Sequence, residues 1–378
     1  MLTRREFGHI ALAGVPAMLV ARTESILGTL AQTKPNSLIE GVQIGTITYS
    51  YRSMLDQSAE ATLKYILDSG ISAIELMGGP AESFAGAPSS GPDGGGRGPG
   101  GRGREGREGA GGAPGAAPSD APAPAMTGMW NGKPCALPSE GRGAGRGGGR
   151  GRGEQTPEQQ AAQQEAAQKL KAWRTSVSMD AFKKLRKMYN DAGVTIYAWK
   201  QLSPNMSDEE FEYIFNVAEA LGCTHTTLEL PTDAAQLKRI GDFAMKKKIY
   251  AGYHTHLQGS MTAFDQAFAI SKGNKANVDF GHWVAGGNVG GTPMQFLEKF
   301  HDRIASFHLK DRTTPQNCAL NLAWGTGETP IKAILQLVKK NKWKIPGSVE
   351  LEYDIPEGSN AVAEVRKCVE FCRTALTT

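Results

Sequence analysis

The chain has 378 residues, 40% of them hydrophobic, and a formal net charge of +4. This places it among soluble globular proteins with enough apolar side chain for a core, in one large or two average domains. The positive excess gathers in a single Gly-Arg segment, so the charge gives no ground for a nucleic-acid partner.

At the N-terminus, Thr3-Arg4-Arg5-Glu6-Phe7 precedes the uncharged run GHIALAGVPAMLVA. A twin-arginine pair ahead of a short apolar region reads as a Tat-type signal over residues 1–31, and the protein is expected to be periplasmic or otherwise exported. The run is too short for a comfortable membrane span, so membrane contact is expected only if the signal stays uncleaved. Cleavage is expected after Ala31, with Ala21 as the competing position. The five cysteines, Cys135, Cys223, Cys318, Cys368 and Cys372, include no CxxC pair, and neither a zinc knuckle nor a disulfide framework is expected.

The first two strand candidates are VQIGTITYS (42–50) and SAIELM (72–77). Residues 78–155 then read as a low-complexity Gly/Arg/Pro insertion, too poor in apolar side chains to offset chain entropy. Apart from Trp130 it lacks the aromatics that would stack on nucleotide bases. Its island MTGMWNGKPCALP (126–138) is the part expected to pack, over whatever the loop borders.

Six more strand candidates follow: TIYAWK (195–200), HTTLEL (225–230), YAGYHTH (250–256), ANVDF (276–280), IASFHLK (304–310) and SVELEY (348–353). Amphipathic helical patterns separate them; in TPIKAILQLVKKNK, Ile331, Ile334, Leu335 and Val338 share one face. Ser207 and Thr329 are expected as N-caps and Gly222 as a stop. Repeated β-then-α units imply a parallel sheet, and eight of them imply an α/β (β/α)8 TIM barrel over residues 40–375, with the insertion after strand 2. The main alternative, a doubly wound sheet, usually carries GxGxxG after its first strand, and Ile44-Gly45-Thr46 does not supply it.

Active sites of such barrels gather at the C-terminal strand ends. The strands here finish in Glu75, Lys200, Glu229, His254 and His256, Asp279, His308, and Glu350 with Glu352. Burying several such groups around one axis without a partner costs several kcal/mol each, at roughly the level of an unpaired buried charge. A divalent cation resolves that cost, and oxygen ligands with one or two imidazoles suit Mn, Mg, Co or Zn.

Four local motifs carry a resemblance: Leu228-Glu229, Asp279-Phe280-Gly281-His282, Phe307-His308-Leu309-Lys310-Asp311 and Val349-Glu350-Leu351-Glu352-Tyr353. In that strand order the chain resembles the xylose isomerase-like barrels of the sugar phosphate isomerase/epimerase group. The resemblance implies metal ligands at Glu229, Asp279, His308 and Glu350, with Glu352 as the competing carboxylate. It implies substrate contacts at His282 and at one residue of the His254/His256 pair, His254 being the candidate, and Lys200, Lys310 and Glu352 are further substrate-side candidates. Glu75 is expected to bind a sugar hydroxyl or cap a loop, and Trp283 is the best candidate to stack on a pyranose ring. Trp324-Gly325-Thr326-Gly327-Glu328 reads as a turn leading into a helix, with phosphate binding a weaker reading.

The implied chemistry is proton abstraction next to a carbonyl, with Glu229 and Glu350 as base and acid and a cation supporting an enediolate. The expected function is therefore an exported metal-dependent sugar isomerase or epimerase acting on a small-molecule carbohydrate. A keto-sugar or inosose lyase is the alternative, a non-catalytic carbohydrate-binding barrel the second alternative, and the oligomeric state stays open.

Overall fold

A computed structural model describes residues 34–88, 127–136 and 156–378. The expected signal, 1–31, and most of the Gly-Arg segment lie outside the described residues.

Each β-branched or aromatic run bounded by a helical pattern forms a parallel strand. The eight are β1 Val42–Ile47, β2 Ala73–Met77, β3 Thr195–Lys200, β4 His225–Glu229, β5 Tyr250–His254, β6 Asn274–Asp279, β7 Ile304–Leu309 and β8 Gly347–Val349. Each pairs with its sequence neighbours, and β8 pairs with β1 through Gly347–Ile44, Ser348–Gly45 and Val349–Thr46, closing the barrel. Leu38–Ile39 adds a short antiparallel strand at the start of β1.

The final strand is shorter than its alternating sequence predicts. Past Val349 only the Glu350 N–H still bonds the neighbouring strand, at Leu309 O (3.0 Å), while the Leu351 N–H turns to the Ser50 hydroxyl. Glu350 and Glu352 thus stand on an extended segment at the mouth.

The helices bury the faces their periodicity predicts, as in Ile331–Asn341 with Ile331, Ile334, Leu335 and Val338 against the barrel. Ser207 and Glu210 form a capping box on helix Asp208–Leu221, and Gly222 ends it at φ +79°. The expected cap at Thr329 does not form: its hydroxyl accepts the Arg312 N–H and its own N–H donates to Asp311.

The inside of the barrel is polar below the mouth. Tyr197 reaches across to Ser348 and lies over Gly45, where an added Cβ would meet the Tyr197 ring at 2.9 Å. His225 Nε2 pairs with Ser306 Oγ (2.8 Å).

Two pieces of the insertion fall among the described residues. Helix Gly78–Phe84 continues directly from β2, and Thr127–Trp130 pairs with Lys133–Ala136 as an antiparallel hairpin. The hairpin is joined to the loop after β7 by a single disulfide, Cys135–Cys318, in a chain whose cysteine pattern indicates no disulfide framework. The partners are 183 residues apart in sequence, so no local spacing announces the pair. Cys223, Cys368 and Cys372 are free and buried.

Candidate active site

His254, Asp279, His308 and Glu350 come together at the C-terminal ends of β5 to β8, all buried, with one ligand atom from each within 4.8 Å of the others. Two imidazoles and two carboxylates are a mixed N/O donor set of the kind that holds Mn, Mg, Co or Zn. The second nitrogen of each imidazole is already tied down. His308 Nε2 lies 2.7 Å from Glu75 Oε2 and His254 Nδ1 lies 3.1 Å from Asn277 Oδ1, leaving His308 Nδ1 and His254 Nε2 as ligand atoms. Such outer partners orient metal-binding imidazoles, so the residues present fit a divalent cation.

Glu75 is the centre of that support. It is fully buried and also accepts from Thr227 Oγ1 (2.6 Å) and Asn277 Nδ2 (3.1 Å). Its strand runs two residues further, to Met77, so Glu75 sits one inward step below the mouth. That depth excludes the expected loop cap and places the carboxylate beneath His308 rather than at a sugar hydroxyl.

Burial opposes the charge on His308, but Glu75 and Glu350 at its two nitrogens overcome this and raise its pKa to about 10. Burial likewise opposes the Glu75 charge, which His308 and Lys200 hold ionised with a pKa of about 2. Glu350 behaves in the same way: despite burial, Lys310 and His308 keep it well below the usual carboxylate range. Asp279 is pushed up by burial, partly offset by Lys310.

Lys310 Nζ bridges Asp279 Oδ2 (3.0 Å), Glu350 Oε2 (2.9 Å) and Glu352 Oε2 (2.6 Å). The sequence DFGH is locally required here. Asp279 Oδ1 accepts from the His282 N–H (2.7 Å), and a Cβ on Gly281 would lie 2.2 Å from Lys310 Cγ.

Glu229 does not join the buried group. Thr227 takes the inward position level with Glu75, and Glu229, two residues on, stands at the mouth with its side chain 53% exposed. There it pairs with Lys200 Nζ (2.9 Å) and His256 Nδ1 (3.3 Å). His254, from the neighbouring strand, supplies the fourth donor of the group. Glu352 faces Lys310 on one side and His282 Nε2, at 3.9 Å, on the other.

Trp283 is fully buried and donates to Gly291 O (3.0 Å), so it is a core side chain and not a stacking surface. The Gly325/Gly327 loop is likewise committed internally: both N–H groups donate to Asp311 Oδ2, at 2.8 and 2.9 Å, and fill the turn with a carboxylate instead of a phosphate. Thr227, Asn277 and Arg312 are site residues that the sequence reading missed. The first two stand two residues before Glu229 and Asp279, where strand alternation could have found them. Arg312 lies beyond β7 and has no such signal.

A closed parallel barrel with buried ionisable groups at its strand ends defines a (β/α)8 protein with a candidate catalytic face. Among solved structures, a sugar phosphate isomerase/epimerase from Parabacteroides distasonis superposes with a TM-score of 0.52 and 15% identity over 92% of this chain and 100% of the other. A xylose isomerase domain protein from Alicyclobacillus acidocaldarius superposes with a TM-score of 0.52 and 12% identity over 89% of this chain and 100% of the other. No protein-family model matches the sequence, and no curated protein is significantly similar to it. The fold is that of the xylose isomerase-like barrels.

Proposed function

We propose that this chain is an exported, divalent-metal-dependent carbohydrate isomerase or epimerase that moves a proton next to a carbonyl. The observation that carries the reading is the buried group His254, Asp279, His308 and Glu350, with its ligand atoms within 4.8 Å of one another at the catalytic end of a barrel. The Cys135–Cys318 disulfide supports an oxidising compartment, in keeping with the twin-arginine start.

A cation held by these four residues would supply Lewis-acid stabilisation of charge developing on a substrate oxygen. Glu229, kept beside Lys200 at the mouth, is placed to take the α-proton and to give the same proton back to the enediolate, while Glu350, held ionised, would stay with the cation. Lys310 and His282 contact substrate oxygens between them, and His256 orients Glu229. A second reading, a lyase expelling a β-oxygen, draws support from the buried His282 Nε2, which has no hydrogen-bond partner among the described residues and lies 3.9 Å from Glu352 Oε2.

Metal-loaded protein incubated in deuterated water with a panel of keto-sugars tests the proposal. Deuterium at the α-carbon with an altered sugar supports an isomerase or epimerase, and deuterium with loss of an oxygen substituent supports the lyase. A panel that binds but keeps its α-protons contradicts both.

A further inference from the structure

Arg312 lies two residues beyond Lys310 and is buried, in a short strand pairing Asp311–Arg312 with Asn321–Leu322. One guanidinium nitrogen, Nη2, donates to Ala319 O, and the other, Nη1, lies 2.6 Å from His282 Nδ1. The carbonyl it grips belongs to an unusual turn. Cys318 and Ala319 are successive non-glycine residues with left-handed backbone, at φ +74° and +49°, and Cys318 is fixed by the disulfide to Cys135. Arg312 is thus held from behind by a covalently pinned loop while its free end meets the imidazole.

Guanidinium groups only donate hydrogen bonds. His282 Nδ1 must therefore accept, and the ring proton of the neutral imidazole resides on Nε2. A ring nitrogen that accepts from a guanidinium carries no proton, so the contact itself requires a neutral ring. Nε2 is buried with no hydrogen-bond partner among the described residues, and its nearest carboxylate oxygen, Glu352 Oε2, is 3.9 Å away.

His254, His256 and His282 also bring nitrogens within 4.8 Å of one another, an arrangement that by itself resembles a second metal site. The Arg312 contact argues against that assignment. It occupies the Nδ1 lone pair of His282 and leaves a proton on the other nitrogen, so neither is free to ligate.

We propose that Arg312 is a positioning residue that fixes His282 as an Nε2–H hydrogen-bond donor to a substrate oxygen. The identity of the acceptor as a carbohydrate oxygen rests on the function proposed above; the tautomer does not. Arg312 acts through His282, its side-chain hydrogen bonds going to that imidazole and to Ala319 O.

The test is imidazole 15N NMR of the full chain at neutral pH, without metal and with Mg2+, using His282→Gln to assign the His282 signals. The expected spectrum shows His282 neutral, with an unprotonated Nδ1 and a protonated Nε2. In Arg312→Met this signature is expected to change to a mixture of tautomers or to a protonated ring, and Arg312→Lys is expected to retain it in part. An Nδ1–H tautomer or an imidazolium in the unsubstituted protein overturns the proposal, whether or not the variants fold. An unchanged signature in folded Arg312→Met also overturns it. With a turned-over sugar, Arg312→Met is expected to lower kcat on the order of a hundredfold, as loss of one preorganised donor does. It is expected to add nothing in the His282→Gln background; full additivity would assign Arg312 a separate role. The NMR arm needs no sugar, so its outcome stands if the carbohydrate reading fails.

Discussion

His308 Nε2 and Glu75 Oε2 meet at 2.7 Å, with both side chains fully buried beneath the mouth of the barrel. This contact fixes which nitrogen of His308 faces Glu350 and gives the inner layer of the site its rigidity. Glu75→Gln preserves the shape but removes the charge, and is expected to weaken divalent-metal affinity by roughly 10- to 100-fold. Glu75→Ala additionally leaves the imidazole short of a partner and is expected to cost about 3–5 kcal/mol of stability. Chelator competition and chemical denaturation measure the two effects separately.

The same contact sets the pH dependence of the metal-free protein. His308 rises from an ordinary 6.5 to about 10 in the fold, so its contribution is full below pH 6.5 and is lost as pH climbs through 10. Glu75 falls from 4.5 to about 2, so its contribution is present above pH 4.5 and lost as pH drops toward 2. Burial also lowers His225 from 6.5 to about 4, which makes stability fall between those values on acidification. Denaturation midpoints across pH should show both limbs, and Glu75→Gln should end the alkaline decline at lower pH, because the folded-state pKa of His308 falls while its unfolded value does not.

Lys310 gives the site a cation of its own. Its ammonium touches Asp279, Glu350 and Glu352, so Lys310→Met leaves three carboxylates facing one another. Metal-free Lys310→Met is expected to lose about 3–5 kcal/mol. Added Mn2+ should recover part of that loss, because the carboxylates then have a cation to share. A thermal shift with Mn2+ no larger than in the unsubstituted protein would contradict this.

The disulfide makes a direct chemical prediction. Non-reducing proteolysis and mass spectrometry should find the Cys135 and Cys318 peptides joined. Cys223, Cys368 and Cys372 are buried thiols whose pKa values burial drives up, so they should resist alkylation until the protein unfolds.

The sequence revealed the fold through repeated strand-then-helix periodicity, and it revealed Asp279, His308 and Glu350 because each closes or follows a strand. Glu75 looked like another strand-end carboxylate. Its strand runs two residues past it, and that step of depth converts a rim group into an internal partner. Glu229 shows the reverse: at the last position of its strand it stands too high to meet the buried group. Arg312 and the Cys135–Cys318 pair depend on loops from distant parts of the chain meeting in space, and neither alternation nor motif spacing records such encounters.

Calorimetric titration of the metal-free chain with Mn2+, beside folded Asp279→Asn and His308→Gln variants, asks whether His254, Asp279, His308 and Glu350 hold a divalent cation. Saturable binding of about one equivalent to the unsubstituted protein is expected, weakened by roughly 10-fold or more in each variant, as loss of a ligand exceeds loss of its outer partner. No binding to the unsubstituted protein, or undiminished binding to both variants, would contradict it.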